Sequence, residues 1–175
     1  MKKQRETPQW LADKIVQRMI QGLTNFGHTR ILEPSAGEGV LIDALFRYKP
    51  MADVSVDCIE LNEEKYNKLM SKGYNAYRAD FLNWISHRKY DAIIAAPPFI
   101  NNSDVFHIQK MYDHLDDLGV IITLTTPFWT VNNETHQTEF REWLKDKNYE
   151  MTMLPDNTFI EKGKTVPTAI LTIYK

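Results

Sequence analysis

The sequence predicts an α/β fold: a seven-stranded, mostly parallel sheet with an antiparallel last strand and helices on both faces. Three observations carry that reading. Short apolar runs alternate with segments whose apolar residues recur at helical spacing, and such alternation builds a parallel sheet covered by helices. The run 90–95 stops at Pro97-Pro98, as a central strand must, because proline cannot donate to a ladder. The chain closes on two strand-like runs, 150–154 and 168–174, with no helical stretch between them, so the last strand should enter antiparallel.

The elements follow in order. Thr7-Pro8 reads as an N-cap followed by proline at the first helical position, and Leu11, Ile15 and Met19 with Val16, Ile20 and Leu23 continue at helical spacing. Residues 30–33 form a short strand ending at Pro34, and 39–48 a helix. Residues 54–61 are a buried strand, 63–71 a helix, 74–78 a third strand and 90–95 a fourth. Val105, Ile108, Met111, Tyr112 and Leu115 mark a helix with Gly119 as its expected C-terminal cap. Residues 120–126 are the fifth strand, and 134–145 a helix carrying Phe140, Trp143 and Leu144.

A chain of 175 residues, 43% hydrophobic, supports one core, so a single domain over 1–175 is expected, without a separate target-recognition domain. The 21 Lys and Arg against 23 Asp and Glu give no strong field for nonspecific nucleic-acid capture, so a nucleic-acid partner needs a local basic patch. Cys58 stands alone in an apolar run; it is expected to be a buried small hydrophobe, and an internal disulfide is excluded. His28, His87, His107, His114 and His136 lack Cys partners at ligand spacing, so no metal site is expected. No apolar stretch reaches membrane-spanning length, and the charged residues 1–5 lead into none. A soluble, cytoplasmic protein that does not enter membranes is the expectation.

Ligands of such sheets sit beyond the carboxyl ends of the strands, and four strand ends carry suggestive residues. The first is Glu33-Pro34-Ser35-Ala36-Gly37-Glu38-Gly39. Its glycines allow a tight turn and close backbone approach, and the following helix offers free N–H groups to an anion such as a carboxylate. Ile42 occupies the place where a dinucleotide fingerprint wants its third glycine. The second is Glu60, followed by Leu61, placed to accept ribose hydroxyls or else a surface carboxylate before a helix. The third is Asp80-Phe81, where Asp80 can accept from an adenine amine or cap the next helix, and Phe81 can lie against the ring. The fourth is Ala95-Ala96-Pro97-Pro98-Phe99, a stiff loop whose aromatic offers a stacking face to a flipped base.

In this order and spacing, these residues resemble the amino-methyltransferase branch of the class I S-adenosylmethionine-dependent methyltransferases. The likeness is to small phage- or mobile-element-type DNA adenine N-6 enzymes in particular. It runs from Thr7-Pro8-Gln9-Trp10 to the segment 162–168. The resemblance implies that S-adenosylmethionine is the cofactor, with Thr7 and Pro8 helping to close its pocket. It also implies that residues 33–39 hold the methionine moiety, Glu60 and Leu61 the ribose end, and Asp80 and Phe81 the adenine. The substrate implied is adenine in nucleic acid, DNA ahead of RNA, with Ala96, Pro97, Pro98 and Phe99 at the reacting centre. RNA, a cytosine amine or a protein glutamine are alternatives, as is an inactive cofactor-binding module.

One departure stands out. The family's loop begins with Asn or Asp, and here that position is Ala96. A methyl side chain cannot accept from the target amine, and losing one positioned hydrogen bond costs about 10²–10³-fold in rate. Ala96 is either an engineered knockout or a natural weakening; its intact surroundings favour the former. Elsewhere, His107 is expected to line the substrate side or lie on a helix surface, and residues 101–104 to form a mobile polar lid. Phe128 and Trp129 are core residues or part of a base pocket. Residues 161–165 face substrate rather than forming a P-loop, because a strand follows them.

Overall fold

A computed structural model describes residues 6–23, 27–49, 53–99, 103–161 and 163–175. Helix α1 (Gln9–Gly22) leads into β1 (Thr29–Glu33), α2 (Val40–Tyr48), β2 (Val54–Glu60), α3 (Glu63–Ser71), β3 (Asn75–Arg78) and β4 (Tyr90–Ala95). Then come α4 (Ser103–His114), β5 (Leu115–Thr125), α5 (Thr135–Leu144), β6 (Asn148–Met153), a short hairpin β7 (Ile160–Glu161) and β8 (Lys164–Thr165), and β9 (Ala169–Tyr174).

The seven-stranded sheet has the order β3-β2-β1-β4-β5-β9-β6. β1 to β5 pair in parallel. β9 inserts antiparallel between β5 and β6, as expected for a last strand that follows its predecessor without a helix. Alternate strand residues feed two cores. Ile31, Cys58, Ala92, Ile94 and Ile122 pack with Leu11, Ile15, Leu41 and Leu69 on the α1–α3 face. Leu32, Ile59, Ile93 and Ile121 pack with Ile108, Met111, Phe140 and Leu144 on the α4–α5 face. Cys58 is a buried free thiol, and its burial pushes the pKa up.

The strand order reverses between β1 and β4, so the loops after their carboxyl ends, beginning at Pro34 and Ala96, frame the switch point where a ligand fits. Several local expectations need correction. Pro8, not Thr7, is the N-cap of α1, and no side chain caps that end. The Pro8 carbonyl accepts from Leu11 and Ala12 instead. Asp80 caps a turn rather than a helix: its carboxylate accepts from the Leu82 amide at 3.0 Å and the Asn83 side chain at 2.7 Å. Helix α4 ends at His114, and Gly119 lies inside β5. A Cβ there would sit 2.8 Å from the Asp116 carbonyl, so that glycine answers a close backbone approach and not a helix cap.

Candidate functional site

A cleft of about 710 Å³ opens at the carboxyl edge of β1, β2, β3 and β4. Pro34 and Ser35 line it from the first loop, Glu60 and Leu61 from the end of β2, Asp80 and Phe81 from the end of β3, and Pro98 and His107 from the fourth loop and α4. Strands of one parallel sheet end at one edge, so residues far apart in sequence meet there.

Glu60 organises the back of the cleft. It is buried, its Oε2 accepts from the Gly37 amide at 2.8 Å and its Oε1 from the Asn62 amide at 2.7 Å. The carboxylate therefore ties the first loop to the end of β2. The same two strand ends are joined by the Ala36 amide, which donates to the Ile59 carbonyl. Gly37 and Gly39 both have left-handed φ, 58° and 88°. Gly39 is the N-cap of α2, and a Cβ on it would lie 3.0 Å from Leu69 and 3.1 Å from Tyr74, whereas one on Gly37 would meet nothing.

Glu33, at the end of β1, is buried, and its Oε2 has no hydrogen-bond partner among the described residues. Burial pushes its carboxyl well above the usual carboxylate range, and the nearby charges of Glu60 and Asp43 push the same way. An orphaned buried acceptor is rare, and this one is not part of the cleft lining. The lining carries both signs of charge, Glu38, Glu60, Glu64 and Asp80 with Lys65 and Lys68, beside the ring of Phe81, and that mixture fits a zwitterionic nucleoside.

The fourth loop is braced from two sides. The Ser103 hydroxyl donates to the Pro98 carbonyl at 2.7 Å, and the Phe99 ring meets Phe159 edge-on, centroids 6.1 Å apart. Pro97 is buried, while Ala96, Pro98 and Phe99 are half-buried. His107 stacks obliquely near Phe81, 5.7 Å between centroids, and its Nδ1 lies 2.9 Å from the Ser103 carbonyl. Burial lowers its pKa from the ordinary histidine value.

The other predicted residues are placed as follows. Thr7, Pro8, Glu33, Ala36, Gly37, Gly39, Ala96, Pro97 and Phe99 are not in the lining of this cleft, and Gly37 is tied to it through the Glu60 carboxylate. Trp129 belongs to the core. It is buried against Phe140, and its indole N–H donates to Thr125 at 3.1 Å. Phe128 is exposed on the short 3-10 turn Pro127–Thr130, away from the cleft lining. The lid expectation for Asn101 and Asn102 lies outside the described residues. Ser103 and Asp104 are instead the first turn of α4, and Asp104 is fully buried.

Sequence reasoning missed this Asp104. Its Oδ2 accepts from the Thr125 hydroxyl and the Thr126 amide, both at 2.8 Å, and from the Thr126 hydroxyl at 3.1 Å. It clamps the start of α4 to the end of β5. Phe159, which backs Phe99, was missed as well; no local pattern in the run 155–160 signals it. Among the described residues no cluster of His, Cys, Asp or Glu is arranged to hold a metal ion, and no helix is long and apolar enough to cross a membrane.

No family model matches the chain. A ribosomal protein uL3 glutamine methyltransferase of Xanthomonas campestris is 26% identical over 97 residues, 53% of this chain and 32% of that protein. The ribosomal RNA large subunit methyltransferase K/L of Shewanella frigidimarina is 36% identical over 84 residues, 43% of this chain and 12% of that protein. The chain thus spans a third or less of the length of these relatives. Among solved structures, a type I restriction-modification methyltransferase subunit of Streptococcus thermophilus superposes with a TM-score of 0.80 at 20% identity, covering 97% of this chain and 44% of that one. A Listeria monocytogenes protein assigned to the class I S-adenosylmethionine-dependent methyltransferases superposes at 0.79 with 12% identity, covering 97% and 60%. Strand order, the antiparallel β9 and these superpositions agree: the chain has the Rossmann-like fold of the class I methyltransferases.

Proposed function

We propose that the chain is an S-adenosylmethionine-dependent N-methyltransferase acting on a planar exocyclic amine, with adenine N-6 in DNA as the first candidate. The observation that carries this is the cleft itself. Glu60, Asp80 and Phe81, each at its own strand end, converge on one cavity that also reaches Pro98 of the Ala-Pro-Pro-Phe loop. S-adenosylmethionine supplies an activated methyl group on a sulfonium. Glu60 would hold the ribose, Asp80 and Phe81 the adenine, and the loop 33–39 the methionine end. Carboxylates and lysines share the lining, which suits a cofactor that carries a sulfonium, an ammonium and a carboxylate.

The chain's own contribution is placement, which suffices when the donor is already reactive. Pro97 and Pro98 stiffen the acceptor loop, and Phe99, backed by Phe159, offers a face to a flat amine. A duplex base would have to flip out, at a cost of a few kcal/mol. Ala96 withholds the side-chain acceptor that would orient the amine, so activity as it stands should be weak. The Streptococcus thermophilus neighbour, a subunit of a restriction-modification system, supports DNA. A second reading, transfer to a protein glutamine or to RNA, draws on the uL3 and ribosomal RNA relatives. Tritiated methyl incorporation into DNA, RNA and protein pools, with products identified by mass, separates them. N-6-methyladenine in DNA is expected; methylglutamine or methylated RNA alone would replace the DNA assignment.

A further inference from the structure

We propose that His107 is a cofactor-binding residue whose Nε2 accepts a hydrogen bond from the exocyclic amine of the bound adenosyl group, beside Asp80. This rests on the S-adenosylmethionine reading above and assigns a residue to it that the sequence placed with the substrate.

The argument starts from the other ring nitrogen. A carbonyl oxygen only accepts, so the Nδ1 facing the Ser103 carbonyl at 2.9 Å must carry the proton. In a neutral ring that leaves Nε2 bare, as an acceptor. Burial favours the neutral form. His107 lines the cleft, and with Nδ1 turned to the Ser103 carbonyl, Nε2 is the ring nitrogen left to meet a ligand there.

Position then selects the ligand group. The His107 ring lies against Phe81, 5.7 Å away, whereas Phe99, on the acceptor loop, turns to Phe159. His107 therefore stands at the Asp80–Phe81 end. Asp80 already holds two donors of its own turn, the Leu82 amide and the Asn83 side chain. A purine amine brings two N–H groups, and a second acceptor beside Asp80 satisfies both.

A bare Nε2 makes binding depend on pH. Protonation turns the acceptor into a donor, and amine binding favours the neutral ring, so affinity should fall as pH drops through the His107 pKa, which lies below its ordinary value. The groups around the ring are Asp80 from the turn after β3, Asp104 and Lys110 on α4, His114 at the far side of Phe81, and Glu60 across the cleft. His114 is also shifted downward, so the control must remove His107 alone.

The test is calorimetry of the full chain with S-adenosylhomocysteine and with its 6-oxo inosine analogue, in a pH series from about 8 down through and below the ordinary histidine range. Wild type should prefer the amine form and lose affinity at acid pH. His107→Leu should shrink that preference by about tenfold, the scale of one hydrogen bond to a buried group. His107→Gln carries an acceptor at similar reach and does not titrate, so it should keep amine affinity and flatten the pH response. Thermal melts establish that both variants fold. A folded His107→Leu with unchanged affinity and discrimination overturns the proposal, as does a variant altered only in KM for the methyl acceptor. A wild type that binds neither compound overturns the cofactor reading and this one with it.

Discussion

The Glu60 carboxylate accepts the Gly37 amide at 2.8 Å across 23 residues of sequence. That bond holds the first loop against the end of β2, and it leaves the carboxylate facing the cleft. Each oxygen keeps a second acceptor site free for a ligand hydroxyl. Glu60→Ala should weaken S-adenosylhomocysteine binding by roughly 1–3 kcal/mol, the cost of leaving hydroxyls and a backbone amide unpaired. Calorimetry checks it; a change under about 0.3 kcal/mol, far below that range, would reduce Glu60 to a loop brace.

The two glycines of that loop should separate binding from folding. Gly37 has φ of 58° with open space where a Cβ would go, so Gly37→Val strains the backbone by about 1–3 kcal/mol and reshapes the loop without disturbing the core. Cofactor binding should be lost while the fold survives. Gly39→Ala adds a Cβ crowding Leu69 and Tyr74 at a φ of 88° and should cost more stability than Gly37→Ala. Urea denaturation of the two alanine variants gives the order directly.

Ala96→Asn should restore chemistry. The position is half-buried between the end of β4 and two prolines, and asparagine puts an acceptor where the amino-methyltransferases that the loop resembles carry one. Methyl transfer should rise by about 10²-fold or more, with melting temperature and cofactor affinity nearly constant. A protein already fully active with Ala96 refutes this account of the loop. An Asn variant that binds cofactor and methylates nothing favours an inactive binding module.

Asp104→Ala should destabilise the protein by about 2–4 kcal/mol, because it strips the acceptor from the buried Thr126 amide and hydroxyl and leaves the Thr125 hydroxyl only the Thr126 carbonyl. Chemical denaturation measures it. Loss below about 1 kcal/mol, the net worth of a single ordinary hydrogen bond, would show that the α4–β5 clamp is slack.

Glu33→Gln should stabilise the ligand-free protein at neutral pH. The native carboxyl has its pKa raised by burial, so between its unfolded and folded pKa values the native state binds more protons than the unfolded one. Stability then falls as pH rises through that window, and the cost persists above it. The variant escapes that cost, gaining about 2–4 °C in Tm per kcal/mol for a chain of this size. Near pH 4, where wild-type Glu33 is protonated in the native state, the gain should vanish. A gain that is independent of pH would contradict the raised pKa.

The sequence by itself determined the alternation of strands and helices, their number in the large sheet, and the strand ends at which Glu60, Asp80 and the Pro-Pro loop stand. Those signals are local. Apolar residues at spacing two or three to four read the same wherever the chain goes, and helix 63–71 and strand 90–95 matched residue for residue. Burial of polar groups is not local, and only the tertiary structure decided it. Asp104 looks like loop until Thr125 and Thr126, 21 and 22 residues on, arrive to take its Oδ2. Trp129 is a core residue because Phe140 and the Thr125 hydroxyl close around it. Gly119 read as a helix cap, yet it answers the approach of Asp116 within β5, beside Leu118, which pairs with Lys175. His107 acquires its tautomer from Ser103 one turn back and its neighbour Phe81 from another strand. A polar side chain is free to be buried only where distant partners satisfy it, and which partners those are is a property of the fold.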